Sequence, residues 1–92
     1  MDNCKTTVQV PCDITGRLAH RIIYSLQPLR SSIFITHGGR NINAKSLLGV
    51  LSLRLREKDI ITISCYQDNE NQAQADCDII EDIFKNINQE NN

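Results

Sequence analysis

A chain of 92 residues with a net charge of −1, 40% of it apolar and 23% charged, has the size and balance of one small globular domain. No apolar run approaches the roughly 18–20 residues that a bilayer-spanning helix needs. The amino terminus MDNCKTTVQV lacks the zones of a signal peptide, so the expectation is a single cytoplasmic domain over 1–92, with an ordered core at about 5–87 and a polar tail over 88–92.

The aromatic content of 4% leaves Leu, Ile and Val to build the core. In TTVQVP, Val8 and Val10 alternate with Thr7 and Gln9, the period-two pattern of a half-buried strand, and Pro11 closes it. A loop follows, and from Gly16 or Arg17 the residues Ala19, Ile22, Ile23 and Leu26 share one helical face. Pro28 stops that helix near Gln27, because the residue before proline disfavours the α region.

SSIFITHGGRNINA reads as two strands around His37-Gly38-Gly39-Arg40, where the glycine pair supplies the positive φ angles of a tight turn. A short helix from Ser46 to about Leu53 comes next, with Ser46 as its N-cap. DIITISCYQ is rich in β-branched residues and predicts a further strand. The last helix is expected to start at Asn69, paired with Gln72 in the manner of a capping box, and to carry Ala73, Cys77, Ile80, Phe84 and Ile87 on one stripe.

The order β-α-β-β-α-β-α implies an α+β fold: a four-stranded antiparallel sheet covered on one face by three helices. Thr7, Gln9, Thr62 and Ser64 suit a polar open face. Cys4, Cys12, Cys65 and Cys77 form no C-x-x-C pair and have no metal-ligand spacing with His20 or His37, so reduced, partly buried thiols are expected and no metal or other cofactor is implied.

Charge is divided along the chain. Arg30, Arg40, Lys45, Arg54, Arg56 and Lys58 face only Glu57 between them, whereas acids dominate from Asp59 onward. Such a basic segment fits either a solvated rim or a surface that meets an acidic partner or a phosphate. With Tyr24, Phe34, Tyr66 and Phe84 as the sole aromatics and an acidic total, direct nucleic-acid binding is not indicated.

Neither His20 nor His37 sits in a hydrolase, zinc-protease or phosphate-loop motif, and Gly38-Gly39 precedes a strand instead of a helix, so a self-contained active site is not expected. Ser46 admits two readings from the residues alone. Either it only caps its helix while Leu47, Leu48 and Leu51 pack inside, or it is a modifiable serine beside an apolar docking patch. A phosphoryl group at a helix N-terminus would meet unpaired N–H groups and a favourable dipole, so the fold would tolerate it.

Three segments carry a resemblance to a known family. GGRNINAKSLLGVLSL, DIITISC and DNENQAQADCDIIEDIF resemble, respectively, the regulatory-serine segment, the fourth strand and the final helix of the HPr phosphocarrier proteins of the bacterial phosphotransferase system. The resemblance runs without gaps from about Lys5 to Ile87, and its strongest motif is Asn43-Ala44-Lys45-Ser46 with Gly49 and Ser52-Leu53. It implies that family's open-faced β-sandwich.

HPr proteins carry a phosphoacceptor histidine in a loop written roughly Gly-[Leu/Ile]-His-Ala-Arg-Pro-Ala. The matching residues here are Asp13-Ile14-Thr15-Gly16-Arg17-Leu18-Ala19, which places Thr15 at the histidine position and keeps Arg17. A threonine hydroxyl is a far poorer nucleophile at neutral pH than imidazole, and its ester is not the high-energy phosphoramidate that a relay hands onward. His20, about one turn further along, is an alternative acceptor that would project at another angle.

The arrangement resembles the Crh proteins of low-GC Gram-positive bacteria, which lack the histidine and keep the serine, although this chain has leucines where the family usually has isoleucine and methionines. That likeness implies a non-enzymatic regulatory protein. Ser46 would be phosphorylated from ATP by an HPr kinase/phosphorylase, and the product would bind a catabolite-control transcription regulator through Leu47, Leu48 and Leu51, with Arg17 nearby. The alternative is a phosphocarrier in phosphoenolpyruvate-dependent sugar uptake that uses His20 or Thr15 and meets other phosphotransferase-system proteins.

Overall fold

In the computed structural model, which describes residues 2–89, period-two and helical segments alternate as the sequence predicts. The elements are β1 (Asp2–Gln9), α1 (Gly16–Leu26), β2 (Ser32–His37), β3 (Arg40–Asn43), α2 (Leu47–Ser52), β4 (Ile60–Gln67) and α3 (Glu70–Lys85), followed by a 3-10 turn at Ile87–Gln89. The strands lie in the order β1-β4-β2-β3, and every neighbouring pair is antiparallel. No helix is long and apolar enough to cross a membrane among the described residues.

Register decides which side chains face the helices. Val8 stands opposite Ile61, Ile35 opposite Ile63, and Ile33 opposite Cys65, so these residues project to one side of the sheet and are all buried. Ala19, Ile22 and Leu26 of α1 and Ala73, Cys77, Ile80 and Phe84 of α3 close over them at 0% exposure. Each fully buried Ile, Leu or Phe contributes about 1.5–3 kcal/mol of transfer free energy, which makes this layer the main source of stability.

Local signals place the helix ends. Asn69 caps α3, accepting the Gln72 N–H at 3.2 Å, and Gln27 closes α1 one residue before Pro28. Gly38 and Gly39 turn the β2-β3 hairpin with φ of 58° and 80°, both in the left-handed region that a two-residue turn of this kind requires.

Two expected element boundaries need correction. β1 begins at Asp2, earlier than TTVQVP implies, because Asp2, Asn3, Cys4 and Lys5 all pair with β4 although they carry no apolar alternation. Helix α3 ends at Lys85, and Ile87 reaches the core at 1% exposure from the 3-10 turn after the Asn86 cap, so the stripe is not one continuous helix. Of the expected polar tail, Asn88 and Gln89 fall at that turn and residues 90–92 lie outside the described residues.

The open face is also less polar than expected. Thr7 and Gln9 are exposed and Thr62 is half-buried, but Phe34 and Tyr66 meet edge-to-face on this side with ring centroids 5.9 Å apart. Ser64, directly opposite Phe34 in the register, is left only 6% exposed.

One buried polar knot ties the sheet to α3. A single carboxylate oxygen of Asp76 accepts the Ser31 hydroxyl at 2.6 Å, the Ser31 N–H at 3.2 Å and the Gln67 side-chain amide at 3.3 Å. The Gln67 amide also donates to the Ser31 hydroxyl at 2.9 Å, so each polar group in the knot has a partner.

Candidate functional site

Two surface regions contain the residues singled out in the sequence. The first is the loop that enters α1. Thr15 is the N-cap of that helix, and its hydroxyl accepts the Leu18 N–H at 3.4 Å. The loop before it is laced to the segment before β4: Val10 N–H donates to the Asp59 carbonyl at 2.8 Å, Lys58 N–H to the Val10 carbonyl at 2.7 Å, Ile14 N–H to the Leu55 carbonyl at 3.0 Å, and Glu57 N–H to the Asp13 carboxylate at 2.9 Å.

That lacing leaves an open depression of about 570 Å³ lined by Cys12, Asp13, Thr15, Arg17, Leu18, Arg21, Glu57, Ile87 and Asn88. Thr15 and Arg17, paired by the sequence, therefore share one surface with a second guanidinium and two carboxylates. His20 is exposed on α1 and is not among the residues that line the depression. Burial, followed by the nearby charges of Asp13 and Glu57, raises the Cys12 thiol above its ordinary value and keeps it protonated at neutral pH.

Sequence reasoning missed most of this lining. Arg21 was within reach, being four residues after Arg17 on a helix and so on the same side of it. Glu57, Ile87 and Asn88 come from distant parts of the chain, and no local pattern ties them to Thr15.

The second region is the start of α2. Ser46 is the N-cap, with φ of −96° and ψ of 116°, and its hydroxyl accepts the Gly49 N–H at 3.1 Å. An Asn43 turn leads into it: the Asn43 side chain accepts the Lys45 N–H at 2.8 Å and the Asn43 carbonyl accepts the Ser46 N–H at 3.0 Å. Lys45 is pinned by a bond from its ammonium to the Leu29 carbonyl, and Arg40 reaches the Ser52 carbonyl at 2.9 Å.

Gly49 has a steric reason to be glycine. A Cβ there would lie 3.3 Å from both the Cβ and the Oγ of Ser46, so its absence leaves room around the serine hydroxyl. The three leucines divide. Leu48 is 79% exposed and Leu51 37% exposed, whereas Leu47 is half-buried against the core. The apolar surface beside Ser46 is thus Leu48 and Leu51, with Leu47 serving mainly as an anchor for the short helix.

Two unusual backbone positions lie beyond α2. Arg54 and Lys58 adopt φ of 50° and 78°, in the left-handed region that costs a non-glycine residue roughly 1–2 kcal/mol. They bracket the tight segment that hydrogen-bonds to the Thr15 loop, and the Asp59 carboxylate stabilises it by accepting the Arg56 N–H at 2.8 Å. His37 stands 3.5 Å from that same carboxylate oxygen, at the near end of the hairpin. Among the described residues, no group of three or more His, Cys, Asp or Glu side chains is arranged to hold a metal ion.

Residues 3–86 match the family model described as PTS HPr component phosphorylation site, and the chain belongs to the HPr phosphocarrier family of the phosphotransferase system. Members of that family are phosphocarriers and not catalysts.

Solved structures with the same fold include a phosphocarrier protein HPr from Bacillus anthracis str. Ames, with a TM-score of 0.82 at 23% identity over 91% of this chain and 99% of that one. HPr-C-His from Thermoanaerobacter tengcongensis has a TM-score of 0.72 at 20% identity over 100% of both chains. The Bacillus subtilis catabolite repression protein Crh has a TM-score of 0.62 at 22% identity over 89% of this chain and 94% of that one. At these identities the likenesses establish the fold.

Proposed function

We propose that this chain is a regulatory HPr-family protein that has exchanged the histidine relay for a serine switch. An HPr kinase/phosphorylase phosphorylates Ser46, and the phosphorylated form binds a catabolite-control transcription regulator. The observation that carries the reading is the disposition of Ser46, a half-buried N-cap whose hydroxyl has space over Gly49 and is followed two residues later by Leu48 at 79% exposure.

A phosphoserine there retains an oxygen for the Gly49 N–H and adds charge at the end of the helix where a dianion is favourable. The modification therefore changes the surface without breaking the cap. Leu48 and Leu51 give the partner an apolar contact beside that charge. At the family's transfer position, Thr15 is engaged as the cap of α1, which suits a silent transfer centre.

A relay in phosphoenolpyruvate-dependent sugar uptake is the second reading, and the exposure of His20 is what favours it. Against it, the relay donor would have to reach an imidazole that lies outside the Thr15 depression, and group transfer between proteins tolerates little displacement of the reacting atom.

Incubation of the purified protein with an HPr kinase/phosphorylase and ATP tests the proposal. Acid-stable phosphate is expected on Ser46, absent from Ser46→Ala. Leu48→Asp should still be phosphorylated and fold normally, since substitutions at so exposed a position stay within about 0.5 kcal/mol, yet lose binding to the regulator. Phosphate on another residue, or regulator binding that survives both substitutions, would overturn the switch.

A further inference from the structure

Three of the four thiols meet beneath α3. Cys4 of β1 stands directly opposite Cys65 of β4 in the strand register, and Cys77 of α3 comes down onto the same pair. The Cys4 thiol donates to the Gln74 side-chain carbonyl at 2.9 Å, which places it under the turn of α3 that precedes Cys77. The Cys77 thiol faces the sheet, with its sulfur 4.0 Å from the Ile63 carbonyl of β4, and lies near enough to Cys4 and Cys65 for both to bear on its ionisation. Cys12, by contrast, lies in the Thr15 depression.

The three members differ in access. Cys4 is half-buried at the edge strand, whereas Cys65 and Cys77 are each 0% exposed. The Cys4 thiol is turned toward α3, where it bonds to Gln74 one helical turn before Cys77. The group is not a metal site, because no metal-holding cluster is present among the described residues.

We propose that Cys4 and Cys77 form an oxidation site in which hydrogen peroxide converts the two thiols into a disulfide that fastens β1 to α3. The Cys4 thiolate attacks one peroxide oxygen, so an S–O bond forms as the O–O bond breaks, and the departing hydroxide takes a proton to become water. The sulfur of Cys77 then attacks that of Cys4. The S–S bond forms, the S–O bond breaks, and the leaving hydroxide is protonated by the proton from Cys77. In sum, two thiols are oxidised by two electrons, one peroxide is reduced, and two waters are released.

Burial sets the order of events. Desolvation by burial pushes the Cys65 thiol up to about 11 and that of Cys77 higher still, so neither is an initial nucleophile. The oxidant reaches half-buried Cys4 first, and the turn of the Cys4 thiol toward α3 makes Cys77 the resolving partner. The bridge joins the first strand to the last helix, and cross-links spanning so much of a chain raise Tm by roughly 10 °C or more in a domain of this size.

The test uses the full chain, reduced and then exposed to hydrogen peroxide, alkylated and cut after Lys, Arg and Glu without reduction. That digest puts Cys4, Cys12, Cys65 and Cys77 in four different peptides. Mass spectrometry should find peptide 1–5 joined to peptide 71–81, with the bridge lost in Cys4→Ser and kept in Cys12→Ser. The oxidised wild type should melt higher than the reduced form, and the Cys4→Ser variant, altered only at the accessible edge, should show no such shift. A bridge from Cys4 to Cys65 or Cys12, over-oxidation of Cys4 without any bridge, or no reaction would each overturn the assignment.

Discussion

Phe84→Ala is expected to destabilise the domain by about 3–5 kcal/mol, the range for deleting a fully buried aromatic ring. Phe84 is the largest fully buried side chain, at 0% exposure near the end of α3, and the core around it is aliphatic. Removing the ring leaves a cavity that Ile, Leu and Val side chains fixed by strand register and helix spacing fill poorly. With a total margin of roughly 5–15 kcal/mol for a domain of this kind, about a fifth of the stability or more should vanish. Thermal melts followed by circular dichroism should show Tm lower by roughly 15 °C or more. A shift under a few degrees would mean that α3 is not packed as described.

Asp76→Ala comes second, with an expected loss of about 2–4 kcal/mol. The substitution removes the acceptor for three hydrogen bonds at once and strands the Ser31 hydroxyl and N–H in a site where Ser31 is 1% and Asp76 6% exposed. Because all three bonds converge on one oxygen, Asp76→Asn can offer its amide oxygen to the same donors and should lose clearly less than alanine does. Urea titration of both variants checks the order. Equal losses for Asn and Ala would mean that the knot depends on the negative charge and not on the acceptor; no loss for either would remove it from the stability account.

The contrast between these two positions shows how much of the fold could be read beforehand. Phe84 belongs to an apolar stripe at helical spacing, and that pattern alone placed it inside. Asp76 sits on the same helix as one more acid in a polar-looking segment. It is buried because Ser31 and Gln67, which are 45 and 9 residues away, converge on it, and no local pattern encodes that meeting. The early start of β1 escaped notice for a similar reason, since pairing with β4 overrides the weak strand propensity of Asp2 to Lys5.

The candidate site was legible in part for the same physical reason. Ser46 and Thr15 are both N-caps, a local property that serine and threonine advertise directly before a helical pattern. The unequal exposure of Leu47, Leu48 and Leu51 was not legible, because in a helix of 6 residues the buried side is set by neighbouring elements and not by periodicity. Nor could spacing reveal that Cys4, Cys65 and Cys77 share one spot, since register and helix docking bring them together.

Loss of the relay is the part of the proposal most open to direct attack. The decisive measurement is incubation with the phosphoenolpyruvate-dependent phosphohistidine donor of the phosphotransferase system, with bound phosphate located by mass spectrometry under conditions that preserve acid-labile bonds. The expected result is an unmodified chain, with neither Thr15 nor His20 carrying phosphate. Rapid acid-labile labelling of His20, or onward transfer from this chain to a sugar permease, would contradict the exchange of relay for switch.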